Sequence, residues 1–303
     1  MIDPVDSINL DISNKCTLLC PFCSRQDLEF KKYKSLTSDM SLKQFIKIAK
    51  SIKNLTLCGQ ISDPIFNKQL INMLKFSYKN NNSISIHTAA NHPNQNWYEE
   101  AFKANPNAFW TFGIDGLPSK DNPHRINQKP ILLFNAMVLA KSMNMNCYWQ
   151  CIIFSFNEQD LEQIQNLAKK INVPLTLIYS NRFTENSKLK PSTGLYVKKI
   201  FDKKKEGQLK PKCLEGAEYG YSAMGYITPC CWIDEGNIEK QYPDFFNKNT
   251  HINNFKNIKQ LLNTKEWKNF QEILKNQPEK APQKCWDKCS TKSGEHKKYL
   301  RIT

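Results

Sequence analysis

Between residues 7 and 178 the apolar residues switch repeatedly between a period of two and a period of 3.6. No other feature of the chain restricts its fold as much. Residues 7–13, Ser-Ile-Asn-Leu-Asp-Ile-Ser, alternate apolar and polar as a strand does, and residues 41–53 then set Leu42, Phe45, Ile46, Ala49 and Ile52 on one helical face. The pattern continues as strand 54–57, helix 68–78, strand 83–87, helix 97–103, strand 109–114, helix 131–143, strand 148–154, helix 161–171 and strand 175–178. Strands that alternate with helices through right-handed crossovers imply a parallel sheet with helices packed outside it. Six such units fall short of a closed eight-stranded barrel and suit an open, partial (β/α)6 barrel, with functional groups at the C-terminal ends of the strands.

After residue 178 the alternation stops. Residues 181–212, with Pro191, Gly194, Gly207 and Pro211 among lysines, read as a linker. The expected layout is therefore α/β: a barrel over 1–180, a bridging segment over 181–212 and a small α+β domain over 213–303, within reach of a 303-residue chain. No run approaches 18 apolar residues, mean hydropathy is −0.59, and the start MIDPVDSINLDIS has neither a basic opening nor an apolar core. The expectation is a cytoplasmic protein without a signal peptide or membrane span.

Eleven cysteines in such a chain point to metal ligation rather than disulfides, because cytosolic thiols stay reduced. Cys16, Cys20 and Cys23 stand at the front, and Cys213, Cys230, Cys231, Cys285 and Cys289 at the back. Cys58, Cys147 and Cys151, scattered through apolar runs, read as small core residues. The front spacing, C-x3-C-x2-C directly after a strand, can bring three thiolates to three irons of a cubane cluster and leave the fourth iron without a protein ligand. A zinc site is the alternative, but zinc sites usually close with four ligands, and no fourth Cys or His lies nearby in sequence.

This spacing, with Phe22 before the last cysteine, resembles the signature of the radical S-adenosylmethionine (radical SAM) enzymes. The resemblance implies a partial (β/α)6 barrel and a [4Fe-4S] cluster on Cys16, Cys20 and Cys23. SAM would chelate the open iron and be cleaved reductively to a 5′-deoxyadenosyl radical, with Phe22 against the adenine. Residues 58–64, Cys-Gly-Gln-Ile-Ser-Asp-Pro, occupy the place of the family's GGEP motif, with inserted residues and Asp for Glu; the carry-over gives Gly59, Gln60, Asp63 and Pro64 the SAM amino group. An ordinary turn is the alternative. By the same resemblance Thr88 and Asn91 meet the ribose or line the pocket, and Asn157 matches a family asparagine. His87 reads as a core histidine. Asp115 and Arg125 match an "IDG… R" run, with Arg125 facing the SAM carboxylate, which a guanidinium binds bidentately. Asp115 and Arg125 could equally pair with each other.

Cys213-x11-Gly225-x4-Cys230 resembles the opening of the family's SPASM and twitch extensions, and the cysteine count suits the single auxiliary cluster of twitch. Cys213, Cys230, Cys285 and Cys289 would ligate a second [4Fe-4S] cluster, with Cys231 a spare or a substitute for Cys230. A zinc ribbon would use the same four thiols. The auxiliary cluster would serve as an electron relay or a structural staple.

The net charge of +15 raises nucleic acid as a partner, but 39 of the 43 basic residues are lysine, and asparagine is abundant too. That skew matches the amino-acid usage of an AT-rich genome, and the arginine forks expected of a phosphate-binding surface are nearly absent. The expected partners are a small-molecule, nucleotide or peptide substrate, undergoing oxidation or a related modification, and an electron donor such as flavodoxin or ferredoxin. The alternatives are a nucleic-acid-modifying radical SAM enzyme, a non-catalytic metal-binding nucleic-acid-binding protein, and an inactive scaffold of the same fold. Arg182, Tyr179, Tyr219 and Trp232 are candidates to face the substrate.

Overall fold

The computed structural model describes residues 6–26, 31, 36–180, 183, 187–192, 194–196, 205–214, 219–233, 245–292 and 297–302. Arg182 and most of the 203–205 lysine run lie outside them.

Six strands and the five helices between them run in the expected order among the described residues: β1 (Ser7–Leu10), α1 (Leu42–Ala49), β2 (Asn54–Leu57), α2 (Leu70–Lys79), β3 (Ser83–Thr88), α3 (Asn96–Ala104), β4 (Phe109–Gly113), α4 (Pro130–Ser142), β5 (Asn146–Ile152), α5 (Leu161–Lys170) and β6 (Leu175–Ser180). Neighbours pair in parallel from β1 to β6. Each strand therefore ends at the same edge of the sheet, and the loops that carry the candidate residues gather there. β1 is shorter than the 7–13 pattern and ends at Leu10, although the Asp11 N–H still donates to Tyr221 O of β7 at 3.0 Å while its side chain serves the loop after β2.

The helices begin and end by local chemistry. Ser41 caps α1 in a reciprocal box with Gln44, and Pro130 opens α4, where its missing N–H costs nothing. Three helices end alike. After α2, α4 and α5 the chain turns through Asn81, Asn144 and Asn172, with φ of 55°, 59° and 54°. In each turn two backbone N–H groups reach back to the last helical turn: Asn82 to Ser77 O and Asn81 to Tyr78 O; Met145 to Ala140 O and Asn144 to Lys141 O; Val173 to Ala168 O and Asn172 to Lys169 O. Asparagine tolerates this left-handed conformation better than other residues with a side chain. Some of the asparagine excess therefore has a structural use.

The C-terminal third extends the same sheet. β7 (Tyr219–Tyr221) pairs in parallel with β1, β8 (Ile227–Thr228) lies antiparallel to β7, and β9 (Lys297–Ile302) lies antiparallel to β6. The order is β8-β7-β1-β2-β3-β4-β5-β6-β9. α6 (Ile258–Leu262), α7 (Lys265–Asn276) and α8 (Gln283–Cys289) complete this part. One core cluster runs from Ile8 and Leu10 through Trp110 and Trp149 to Trp267, Phe270 and Leu274. Among the described residues of 213–303, β7, β8 and β9 thus join the same sheet, and the apolar residues around them belong to the same core cluster. Gly225 at φ +93° follows from packing: a side chain there would enter the His251 ring. Among the described residues no helix is long and apolar enough to cross a membrane.

Candidate metal and cofactor site

Asp11, just past β1, is buried, and its carboxylate accepts the Gln60 and Ile61 N–H groups, each at 3.0 Å, together with the Ser62 hydroxyl. The loop after β2 is thereby folded against the end of β1. Gly59 suits this turn, since a Cβ would meet the Ser62 carbonyl oxygen. The cysteine loop is tied down on both sides. Arg25 Nη1 donates to Cys16 O at 2.8 Å, Ser24 Oγ to Gln60 O at 3.3 Å, Leu19 N–H to Ile126 O at 3.1 Å, and Asn127 Nδ2 to Thr17 O at 3.1 Å. Cys16, Cys20 and Cys23 are all half-buried. Burial, and then the nearby Asp63, push the Cys16 thiol up to about 12; burial raises Cys20, with Arg125 opposing and Cys23 reinforcing. Thiols buried in this way are stabilised as thiolates by a bound metal cation, which suits Cys16 and Cys20 as sulfur ligands, while in this loop, as elsewhere among the described residues, no three His, Cys, Asp or Glu side chains are gathered on one point.

The residues expected to meet SAM surround this loop, but several side chains are turned to the protein. Asp63, buried, accepts from Thr88 Oγ1 at 2.9 Å, from the Ala89 and Ala90 N–H groups at 2.8 and 2.9 Å, and from the Ile65 N–H at 3.3 Å. Burial raises its pKa and these donors oppose the rise. Asp63 and Thr88 together clamp the exit of β2 to the exit of β3, and Pro64 opens the short turn that Asp63 caps. Asn91 pairs through both ends of its amide with the backbone of Lys129, at 2.7 and 2.9 Å, fixing the start of α4. Asn157 closes the β5 exit, accepting from Phe154 N at 2.8 Å and donating to Ile152 O at 2.9 Å.

Asp115 and Arg125 do pair, Nε to Oδ2 at 2.7 Å, with 0% and 11% of their side chains exposed. The second Asp115 oxygen accepts the Ile152 N–H at 2.9 Å. Gly113 gives the guanidinium room, since a Cβ would lie 3.1 Å from Arg125 Nη2. Arg125 also faces the field of Cys20. Phe22 packs beside His124, centroids 5.9 Å apart, and against Phe183 at 6.0 Å; His124 in turn lies 4.4 Å from Phe154. An aromatic wall thus borders the cysteine loop. His87, half-buried on β3, is held neutral at pH 7 because burial lowers its pKa to about 4. Sequence reading missed Asp11, Arg25 and Gln128, whose Nε2 donates to Ala89 O and Gly113 O at 2.6 and 2.8 Å. Asp11 had a signal: it is a charge within the otherwise apolar and neutral alternation of residues 7–13.

The back cysteines come from separate segments. Cys213 lies on the turn Lys212–Leu214, Cys230 follows β8, and Cys285 and Cys289 stand one turn apart on α8. All are half-buried. Burial, then Cys230 and Cys289, push Cys213 up to about 12, and burial followed by Cys230, Cys213 and Cys289 raises Cys285 against the opposing field of Lys205. The four thiols are therefore electrostatic neighbours. Among the described residues no three His, Cys, Asp or Glu side chains are gathered as ligands of a single ion. Of the residues expected to face the substrate, Tyr219 is core, buried and 5.2 Å from the Trp267 ring, while Trp232 is 39% exposed with Lys288 Nζ 3.9 Å above it. Tyr179 lies on β6, half-buried.

No protein-family model and no curated protein sequence matches the chain. Solved structures do match it. Native anSMEcpe with bound AdoMet superposes with a TM-score of 0.57 at 13% identity, over 96% of this chain and 92% of that one. Streptococcus suis SuiB gives 0.55 at 13% identity over 75% of this chain, which spans 60% of SuiB; SuiB bound to S-adenosylmethionine gives 0.56 at 13%, over 92% and 75%. At this identity the likeness is one of fold, and the fold this chain shares with anSMEcpe and SuiB is an α/β architecture built on a mostly parallel sheet.

Proposed function

We propose that this protein is a radical SAM enzyme acting on a peptide, with a second, auxiliary iron–sulfur cluster. The observation that carries the reading is the cysteine loop: three half-buried thiols at the C-terminal end of β1, held by bonds from the loops after β2 and β4. A [4Fe-4S] cluster on Cys16, Cys20 and Cys23, with one iron open to SAM, would supply the electron that cleaves SAM reductively and so starts hydrogen abstraction from the substrate. In this reading the six parallel strands form a partial barrel around the site. The backbone of Gly59 and Gln60, shaped by Asp11, meets the SAM amino group; Arg125, oriented by Asp115, lends its charge to the SAM carboxylate; and Phe22 covers the adenine. Asp63, Thr88, Asn91 and Asn157 hold the mouth in shape rather than touch the cofactor.

A peptide is the favoured substrate because the solved structures of this fold include anSMEcpe with a bound Cp18Cys peptide and SuiB bound to its precursor peptide SuiA. In the twitch-type reading of residues 213–303, Cys213, Cys230, Cys285 and Cys289 ligate the auxiliary cluster, and the mutual fields of these four thiols support Cys230 as a member. Anaerobic reconstitution followed by SAM and a reductant tests the proposal: 5′-deoxyadenosine should form, and its absence from protein carrying about eight irons per chain would refute it.

A further inference from the structure

We propose that Asn122 and Gln128 are positioning residues: bonded to each other through their side-chain amides, they hold the Arg125 guanidinium in place to take the carboxylate of SAM. The proposal rests on the function proposed above and adds to it two residues that no motif marks. Asp115 takes the Nε side of the guanidinium, from Nε to Oδ2 at 2.7 Å and from Nη2 to Oδ1 at 3.4 Å. Nη1 and the second hydrogen of Nη2 meet no acceptor among the described residues. A guanidinium carries five donors, so one edge remains for a second carboxylate. Arg125 keeps 11% of its side chain exposed whereas Asp115 keeps none, so the buried edge is the anchored one.

Two amides fix the backbone that carries Arg125. Asn122 Oδ1 accepts the His124 and Arg125 N–H groups at 3.1 and 2.9 Å. An oxygen is required there, because both partners are donors. Nδ2 is therefore the end that faces Gln128, and it donates to Gln128 Oε1 at 3.0 Å. Gln128 then presents Nε2 to its other neighbours, Ala89 O at 2.6 Å and Gly113 O at 2.8 Å. Those carbonyls only accept, so the polarity required at one end of the chain of bonds agrees with that required at the other. Flipping either amide would set like groups against each other. The Gln128 N–H closes the turn on Arg125 O at 2.8 Å. Both side chains are buried, where a bond that is lost leaves its partner unpaired.

The anchors lie on the exits of three neighbouring strands. Ala89 follows β3, Gly113 ends β4, and Asp115 accepts the N–H of Ile152 at the end of β5. Arg125 is thus held twice, at its guanidinium by β5 through Asp115 and at its backbone by β3 and β4 through Gln128. Removing the Gln128 amide leaves both charges of the Asp115–Arg125 pair in place and frees the segment 122–128 that aims it. The loss should then fall on orientation, and be felt by a ligand that uses the guanidinium.

The test compares the binding of SAM and of decarboxylated SAM, which lacks only the carboxylate, by equilibrium dialysis against the full chain reconstituted anaerobically. The variants are Arg125→Ala, Gln128→Leu and the two together. Asn122→Ala, which leaves both strand bonds of Gln128 in place, is measured in the same two backgrounds and carries the test if Gln128→Leu does not fold. Wild type should prefer SAM by about tenfold or more, the worth of a charge-assisted pair. Gln128→Leu and Asn122→Ala should each cut that preference by about threefold or more, and neither should change what preference is left once Arg125 is alanine. A merely structural role would lower the melting temperature and weaken both ligands alike, without moving their ratio. A ratio unchanged by Gln128→Leu and Asn122→Ala, or cut equally with and without Arg125, would overturn the proposal. A wild-type ratio retained by Arg125→Ala would overturn it together with the carboxylate role of Arg125. Wild type that binds neither ligand would refute the enzyme reading itself, and the proposal with it, a failure distinct from the other two.

Discussion

Cys16, Cys20 and Cys23 lie within eight residues of one loop, whereas Cys213, Cys230, Cys285 and Cys289 come from three segments separated in sequence. The front loop is held by the protein itself: Arg25 to Cys16 O, Leu19 to Ile126 O, and Asn127 to Thr17 O. At the back, the direct backbone ties between the cysteine segments include Lys210 N–H to Cys289 O at 2.7 Å and the bridge between Leu209 and Ser290. A thiol set on a pre-shaped loop gains chemistry from its cluster. A set gathered from distant segments also gains a cross-link, because ligand binding then contributes to folding. The two proposed clusters should therefore differ in what their loss does.

The largest effect is expected at the front. Replacing Cys16, Cys20 and Cys23 by Ala should reduce 5′-deoxyadenosine formation to background and halve the iron from about eight to about four per chain, with little change in melting temperature. SAM cleavage that survives the triple replacement would break the comparison at its centre. Replacing Cys213 and Cys289 should remove the same amount of iron and lower the melting temperature by about 5 °C or more. Equal thermal shifts from the two sets would show that the back cluster is no staple, and would leave electron transfer as its role.

Backbone strain sharpens the contrast. Gly225 lies between Cys213 and Cys230 at φ +93°, against the His251 ring, while Gly194 has a similar φ of +94° and nothing within 4 Å of its would-be Cβ. Gly194→Ala should cost about 1 kcal/mol, the left-handed penalty alone, and Gly225→Ala about 3 kcal/mol, because His251 must also shift. Urea unfolding measures both. Equal costs would mean that the His251 contact relaxes freely, and that the back region is looser than its packing implies.

The front half was legible because each of its signals is local. Strand and helix periods located six strands and the five helices between them to within a few residues, and the cysteine spacing marked the loop after β1. What the sequence hid is where side chains spend their hydrogen bonds. Asp63 stands where a cofactor-facing acid was expected, yet four donors from β3 and its own turn occupy it. Asp115 and Arg125 were read both as cofactor contacts and as a mutual pair, and the pair is what forms. The back half was less legible because its pairings are long-range: nothing local in Lys297–Ile302 says that it will run antiparallel to β6, and the short β7 and β8 carry too few residues for a period to emerge.

The smallest expected effects decide what the asparagines are for. Compositional bias predicts that they are interchangeable with other polar residues. The helix ends at Asn81, Asn144 and Asn172 predict otherwise, because each holds a positive φ and donates to a carbonyl of the last helical turn. Alanine keeps that N–H but not the tolerance for the left-handed region, so each Asn→Ala should cost about 1 kcal/mol, and each Asn→Gly only a few tenths. Asn81 leads into β3, whereas Asn144 and Asn172 lead into the adjacent strands β5 and β6, so the cost at Asn81 should add to that of the other pair, and the triple alanine variant measures the coupling between those two. Asn269, exposed in the middle of α7 in the back half, supplies the contrast. Alanine is the better helix former there, and Asn269→Ala should stabilise by about 0.5 kcal/mol. Urea midpoints for the single and triple variants separate the two accounts. Front-half substitutions that all fall within about 0.3 kcal/mol of zero would return these asparagines to composition, and would remove the repeated helix ending as a reason why the six parallel strands and their helices fold in one register.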